Sequence, residues 1–148
     1  EVMSVLNPAG RTVMSGTYTG HLTAVMGAIA CQNEIAKPGF YEHLNALADR
    51  LYQGFEEALR VTGVPGVVQG IGARFGFYPG LTEPVTSYRQ AARTDRQMEV
   101  CFLRGCLERG LYFHDYGHTM HHGFSSQHTT ADIEEALNII EDSLREAV

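Results

Sequence analysis

The chain has 148 residues, 44% of them hydrophobic and 19% charged, with a formal net charge of -6 and a pI near 5.6. That is the size and balance of a folded unit with its own core, and it excludes a disordered, charge-rich tail. The eleven basic residues are scattered rather than clustered, which argues against a nucleic-acid surface, and the longest apolar-leaning run, 22–30, is too short to span a bilayer.

Three cysteines, Cys31, Cys101 and Cys106, are odd in number and form no CxxC pair. A disulfide framework or a structural zinc site is therefore not expected, and the default compartment is the reducing cytoplasm. The first residue is Glu1 rather than Met, so the chain reads as a piece of a longer protein. Lys37 is the only lysine; the other ten basic residues are arginines.

In chain order, residues 1–16 read as a short apolar piece and a loop, with Asn7-Pro8-Ala9-Gly10 as its turn. From Leu22, apolar residues recur at Val25, Met26 and Ile29, with small residues Ala24, Gly27, Ala28 and Cys31 opposite. This spacing predicts a helix buried on both sides. After the break at Lys37-Pro38-Gly39, a second helix carries Leu44, Leu47, Ala48, Leu51, Phe55, Ala58 and Leu59 on one stripe. It stops near Gly63 and Pro65. The period then changes, and 67–71 and 74–78 read as two strands joined through Gly70 and Gly72. A Pro/Gly/Thr loop follows over 79–87.

A third helix is expected from Tyr88 to Arg109, ending at Gly110. Residues 111–114 and 119–124 are strand candidates. Thr129 with Asp132 suggests a capping box opening a last helix with Ile133, Ala136, Leu137, Ile140, Leu144 and Val148 on its apolar stripe. The order α-α-β-β-α-β-β-α predicts an α+β fold, a small and mainly antiparallel sheet with packed helices.

Gly16-Thr17-Tyr18-Thr19-Gly20 precedes the first helix. Free backbone N–H groups and the dipole at a helix N-terminus attract anions, glycines permit close approach, and a Thr hydroxyl adds a donor. Thr19 as an ordinary N-cap accounts for the same letters, so spacing alone leaves both readings open.

Other candidates are fewer. Five histidines, His114, His118, His121, His122 and His128, fall within fifteen residues. They could bind a metal, face an active site, or be ordinary loop residues. Arg74, within an apolar strand pattern, suggests a buried cation serving a carboxylate of the protein or of a substrate. Cys101 and Cys106 read as small buried hydrophobes. Glu56-Glu57 and Glu134-Glu135 read as solvated helix faces.

SGTYTGHLTAVMGAIACQNEI (15–35) resembles the Gly-Thr-x-Ser-Gly-Asn-Pro segment and following long helix of class III aminotransferases. The branch it resembles best is that of glutamate-1-semialdehyde 2,1-aminomutase and its aminotransferase relatives. The likeness continues collinearly through EVMSVLNPAG, Gly72-Ala73-Arg74-Phe75-Gly76-Phe77, Glu108-Arg109-Gly110-Leu111-Tyr112 and His128-Thr129-Thr130-Ala131-Asp132-Ile133. His21-Leu22 stands where the family has Asn-Pro, and Thr19 where it has Ser.

The resemblance implies the fold type I architecture and pyridoxal 5'-phosphate (PLP) as cofactor. Residues 1–36 would end the large domain, with a phosphate loop and an interdomain helix, and 37–148 would form the C-terminal small domain. Gly16 and Thr17 would hold the PLP phosphate of a homodimer partner, and Arg74 and His118 would contact substrate. The resemblance also implies that the lysine binding PLP lies upstream of Glu1, so the chain alone carries no catalytic residue and is inactive. The parent would move an amino group between an amino acid or amine and a carbonyl compound. The competing reading is a non-catalytic α+β interaction or His-cluster metal-binding module.

Overall fold

A computed structural model describes residues 2–118 and 120–147. Glu1, Thr119 and Val148 lie outside the described residues, so the start of the strand expected at 119–124 and the last position of the final apolar stripe go untested. The chain divides into two compact units, Glu1–Pro38 and Gly39–Val148.

The first unit opens with a 3-10 turn, Val2–Val5, and an isolated bridge between Leu6 and Thr12. Helix α1 follows, Leu22–Ile35. It forms where the apolar spacing predicts, but none of its residues is buried, and Leu22, Val25, Met26 and Ile29 are 42–74% exposed. The expected burial on both sides is thus corrected: helical spacing selects a conformation, whereas burial needs a partner surface.

The second unit holds the core. Helix α2 (Phe40–Thr62) buries Leu47, Ala48, Leu51, Phe55, Ala58 and Leu59. It ends at Gly63, whose φ of 71° suits glycine as a C-terminal stop. Strands β1 (Gly66–Ile71) and β2 (Arg74–Pro79) form an antiparallel hairpin in the register Ile71 opposite Arg74. Its two-residue turn places Gly72 at φ 52°. The Tyr52 hydroxyl of α2 donates to the Gly72 carbonyl at 2.7 Å and so ties helix to turn. The Gln69 side chain pairs both ways with the Val85 backbone at 2.7 Å, pinning the 79–87 loop to β1.

The single helix expected over 88–109 is two. Helix α3 (Tyr88–Ala91) is capped by Ser87, and α4 (Arg96–Glu108) by Asp95, whose side chain accepts from Met98 N at 3.0 Å. Asp95 N also donates to Pro79 O at 2.9 Å, so the break is fixed to the end of β2. A cap bond and a cross-element bond together offset one turn of continuous helix.

The strand expected at 111–114 is absent. Leu111 N instead closes the end of α4 on Cys106 O at 2.9 Å, and Phe113 packs its ring against Phe75 and His122. Of the described residues in 120–124, only His122–Gly123 joins the sheet, as β3 beside β2. The sheet order is β1-β2-β3, antiparallel throughout.

Helix α5 (Thr130–Glu146) begins with a complete capping box between Thr129 and Asp132. Ile133, Leu137, Ile140 and Leu144 are buried on its inner face. The core joins α2, α4 and α5 to the sheet, with Phe55, Phe77 and Phe102 in mutual ring contact at 4.9–6.0 Å. The α+β architecture, a small antiparallel sheet with packed helices, is as expected.

Candidate functional site

In the first unit, the chain turns over residues 17–20, with Thr19 N donating to Gly16 O at 2.9 Å and His21 N to Tyr18 O at 3.1 Å. Helix α1 starts at Leu22 with His21 in the N-cap position and no side-chain cap. Thr19 lies two residues too early to cap it, so the plain N-cap alternative does not hold. Among the described residues, the N–H groups of Thr17, Tyr18, Gly20, Leu22, Thr23 and Ala24 have no acceptor, and the hydroxyls of Thr17 and Thr19 have no partner. Gly16 has a local reason to lack a side chain, because a Cβ there would lie 3.0 Å from Thr19 Oγ1. Uncapped donors, two hydroxyls and a helix dipole suit an anion such as a phosphate.

Lys37 pairs with Glu34 at 2.6 Å while 61% exposed. That is a surface ion pair, not a lysine enclosed in a pocket.

In the second unit, Arg74 opens β2 and is exposed, which corrects the expectation of a buried arginine. Its stem lies over Gly123, where a Cβ would approach Arg74 Cδ to 2.8 Å. The polar end is left available to a carboxylate from outside.

His118 is half-buried on the loop between α4 and β3, and its Nδ1 is fully buried without a hydrogen-bond partner. Elsewhere on the loop, rings meet at tilted or edge-on angles. Tyr116 lies 4.4 Å from His114 and 3.7 Å from His121 between ring centroids, and Tyr112 Oη meets His114 Nδ1 at 2.7 Å. His122 is buried against Phe75 and Phe113, and burial, reinforced by His121 and His114, lowers its pKa to about 4. Among the described residues, no three His, Cys, Asp or Glu side chains converge as metal donors. His114, His121, His122 and His128 make ring contacts.

Sequence reasoning missed the polar anchor of this loop. Arg96, in the first turn of α4, pairs with Asp115 of the loop and with Glu99 one turn on. Asp115 Oδ1 also accepts from Gly117 N at 2.9 Å. The R-x-x-E spacing at 96–99 was the available signal, but it looks like any surface pair until Glu99 proves buried.

Of the cysteines, Cys106 is buried against Ser143, with burial raising its thiol to about 11, while Cys101 is exposed, contrary to expectation. Glu57 and Glu134 pair with Arg60 and Arg50 on the surface. A separate cleft of about 320 Å³ lies between α5, the end of α4 and β3, with Phe113, Phe124, Ile133 and His128 among its walls. None of Gly16, Thr17, Arg74 or His118 lines it.

No family model matches the chain. Solved structures do. An omega-transaminase from Sphaerobacter thermophilus is 25% identical and superposes with a TM-score of 0.74 over 99% of this chain and 33% of its own. The fold is shared with transaminases. A transaminase with PLP bound is 20% identical, with a TM-score of 0.78 over 98% of this chain and 32% of that one. The PLP internal aldimine form of the FumI protein from Sphingopyxis sp. MTA144 is 18% identical, with a TM-score of 0.69 over 90% and 29%. The chain therefore spans about a third of the length of the transaminases it matches.

Proposed function

We propose that this chain is the C-terminal portion of a class III, PLP-dependent aminotransferase or aminomutase that works in the cytoplasm as a homodimer. The parent moves an amino group between an amino acid or amine and a carbonyl compound. PLP supplies the electron sink for that chemistry when bound. The glutamate-1-semialdehyde aminomutase branch remains our suggestion on the motifs. Residues 1–36 then end the large domain and 37–148 form the small one.

The observation that carries this reading is the uncapped start of α1 behind the 16–20 turn. Thr17 N, the Thr17 hydroxyl and the bare backbone at Gly16 bind the PLP phosphate of the neighbouring subunit by hydrogen bonds and helix dipole. Arg74, exposed at the mouth of the hairpin, binds a substrate carboxylate. His118 meets the substrate from the ring-rich loop. The PLP-binding lysine comes from the remainder of the enzyme, because Lys37 is held by Glu34 in water.

The test uses the complete enzyme. Gly16→Val and Thr17→Val are expected to weaken PLP binding by about tenfold or more each, the loss of one or two charge-assisted hydrogen bonds. Unchanged PLP affinity in both variants rejects the phosphate role. PLP added to this chain alone and fixed with borohydride should leave Lys37 labelled no more than any surface lysine; stoichiometric labelling there defeats the assignment.

A further inference from the structure

The cleft of about 320 Å³ beside α5 is lined wholly by residues of the second unit. Its apolar lining is the uncovered margin of the core. Leu111, Phe113, Phe124 and Ile139 pack against the core without being fully buried in it, and all four line this cleft. The size falls at the lower end of small-molecule sites, about 300–1,000 Å³, so it suits a ligand of one ring rather than a nucleotide.

The polar lining is charged in one sense. Asp132, Glu135, Ala136 and Ile139 are spaced i, i+3, i+4 and i+7, so a single stripe of α5 brings two carboxylates and two apolar groups to the cleft. Asp132 accepts from two neutral donors, Thr129 N at 2.7 Å and the Thr129 hydroxyl at 2.8 Å. These bonds hold its carboxyl below the usual range and leave its charge unbalanced. Among the described residues, Glu135 has no hydrogen-bond or ion-pair partner. Arg109, the cation of the lining, is already engaged: it donates to Gly105 O at 3.0 Å and pairs with Glu146. The His128 ring, whose Nδ1 accepts from Ser125 N at 3.2 Å, adds no charge while neutral. The dipole at the start of α5 opposes a cation with about half a charge, against two carboxylates. That helix start is capped by Thr129 and carries acid in its first turn, whereas α1 starts uncapped and without acid. The two helix ends are built for opposite charges.

We propose that this cleft is a binding site for a small organic cation, one apolar ring carrying a protonated nitrogen. The ring lies among Phe113, Phe124 and Ile139, and the protonated nitrogen meets Glu135 and Asp132. Burial of the ring supplies the affinity, and the carboxylates supply the selection for charge. None of Gly16, Thr17, Arg74 or His118 lines the cleft, so the proposal does not rest on the aminotransfer reading.

The test adds benzamidine to the 15N-labelled 148-residue chain at neutral pH. Benzamidine is a ring with a cationic head and no amine on a saturated carbon to transfer; benzamide is the uncharged control of the same shape. Benzamidine should shift the amides of Phe113, Phe124 and Ala136 saturably, and benzamide should bind about fivefold more weakly, the effect of a partly solvated ion pair. Glu135→Gln should weaken benzamidine binding by about three- to fivefold and leave benzamide unchanged. Glu135 is exposed, so this variant keeps the fold. Ala136→Phe fills the cleft and should abolish binding of both probes; if that variant fails to fold, Glu135→Gln still decides. The full-length protein should bind benzamidine with the same dependence on Glu135. Equal binding of the two probes, indifference to Glu135→Gln, binding that survives in a folded Ala136→Phe, or shifts confined to other parts of the chain overturns the proposal. So does a lack of saturation up to about 10 mM. Binding lost in the full-length protein would show that another segment occupies the cleft, and overturns it equally.

Discussion

Two buried ionisable residues pull the pH dependence of this chain in opposite directions. His122 is 6% exposed, and its pKa falls from the ordinary 6.5 to about 4, first through burial and then through His121 and His114. A histidine with a depressed pKa stabilises the fold while neutral, so that stability is present above about 6.5 and is lost as pH falls toward 4. The effect is roughly 3 kcal/mol at full development. His122→Phe, which keeps a ring against Phe75 and Phe113, should flatten the loss of stability between those two pH values in urea titrations; an unchanged slope rules out His122 as its source. Glu99 behaves conversely. Burial raises its pKa, opposed by Arg96, so the carboxyl favours the fold while protonated and disfavours it as pH rises through the raised value. Glu99→Gln should therefore be more stable than wild type near neutrality, and the gain should vanish on acidification. A gain that persists in acid would assign it to packing instead.

At the scale of elements, the termini decide more than the middles. The α5 capping box satisfies two N–H groups at once, since the Thr129 hydroxyl accepts from Asp132 N and Asp132 accepts from Thr129 N at 2.7 Å. Thr129→Ala should cost about 1 kcal/mol in chemical denaturation. The α4–α5 contact is set by small groups, for a Cβ added to Gly105 would meet Ser143 Cβ and Oγ at 3.1 Å. Gly105→Val has to push the helices apart and should destabilise by about 1–3 kcal/mol, the usual cost of overpacking. A neutral Gly105→Val would mean that α5 shifts freely. The element reading from sequence succeeded where a periodic stripe met a strong stop, as in α2 and α5. It failed at 88–109 because Asp95 caps a new helix through bonds to Pro79 and Met98, and a contact with a distant strand has no local signature.

For the whole molecule, every residue of the apolar core falls between Leu47 and Leu144. The chain from Gly39 onward should accordingly fold alone, with a thermal midpoint within a few degrees of the full chain, as measured by circular dichroism. A molten 39–148 fragment would show that the first unit is needed to complete the core. The first unit presents the opposite case. Its α1 is apolar yet uncovered, with Leu22 74% and Met26 57% exposed.

By itself the sequence determined the α+β class, the principal helices and the hairpin, because these follow from local periodicity, capping residues and glycine stops. It also marked Gly16-Thr17 and the lone Lys37, since a loop motif and a residue count are visible in one dimension. Tertiary structure alone decided which polar groups are buried: it hid Glu99, His122 and Nδ1 of His118, and brought Arg74 to the surface. Burial depends on which distant segments meet, and the free energy of a charge depends on burial more than on its neighbours in sequence. The chemistry of the His118 loop could therefore be read only once α4 and the loop lay side by side.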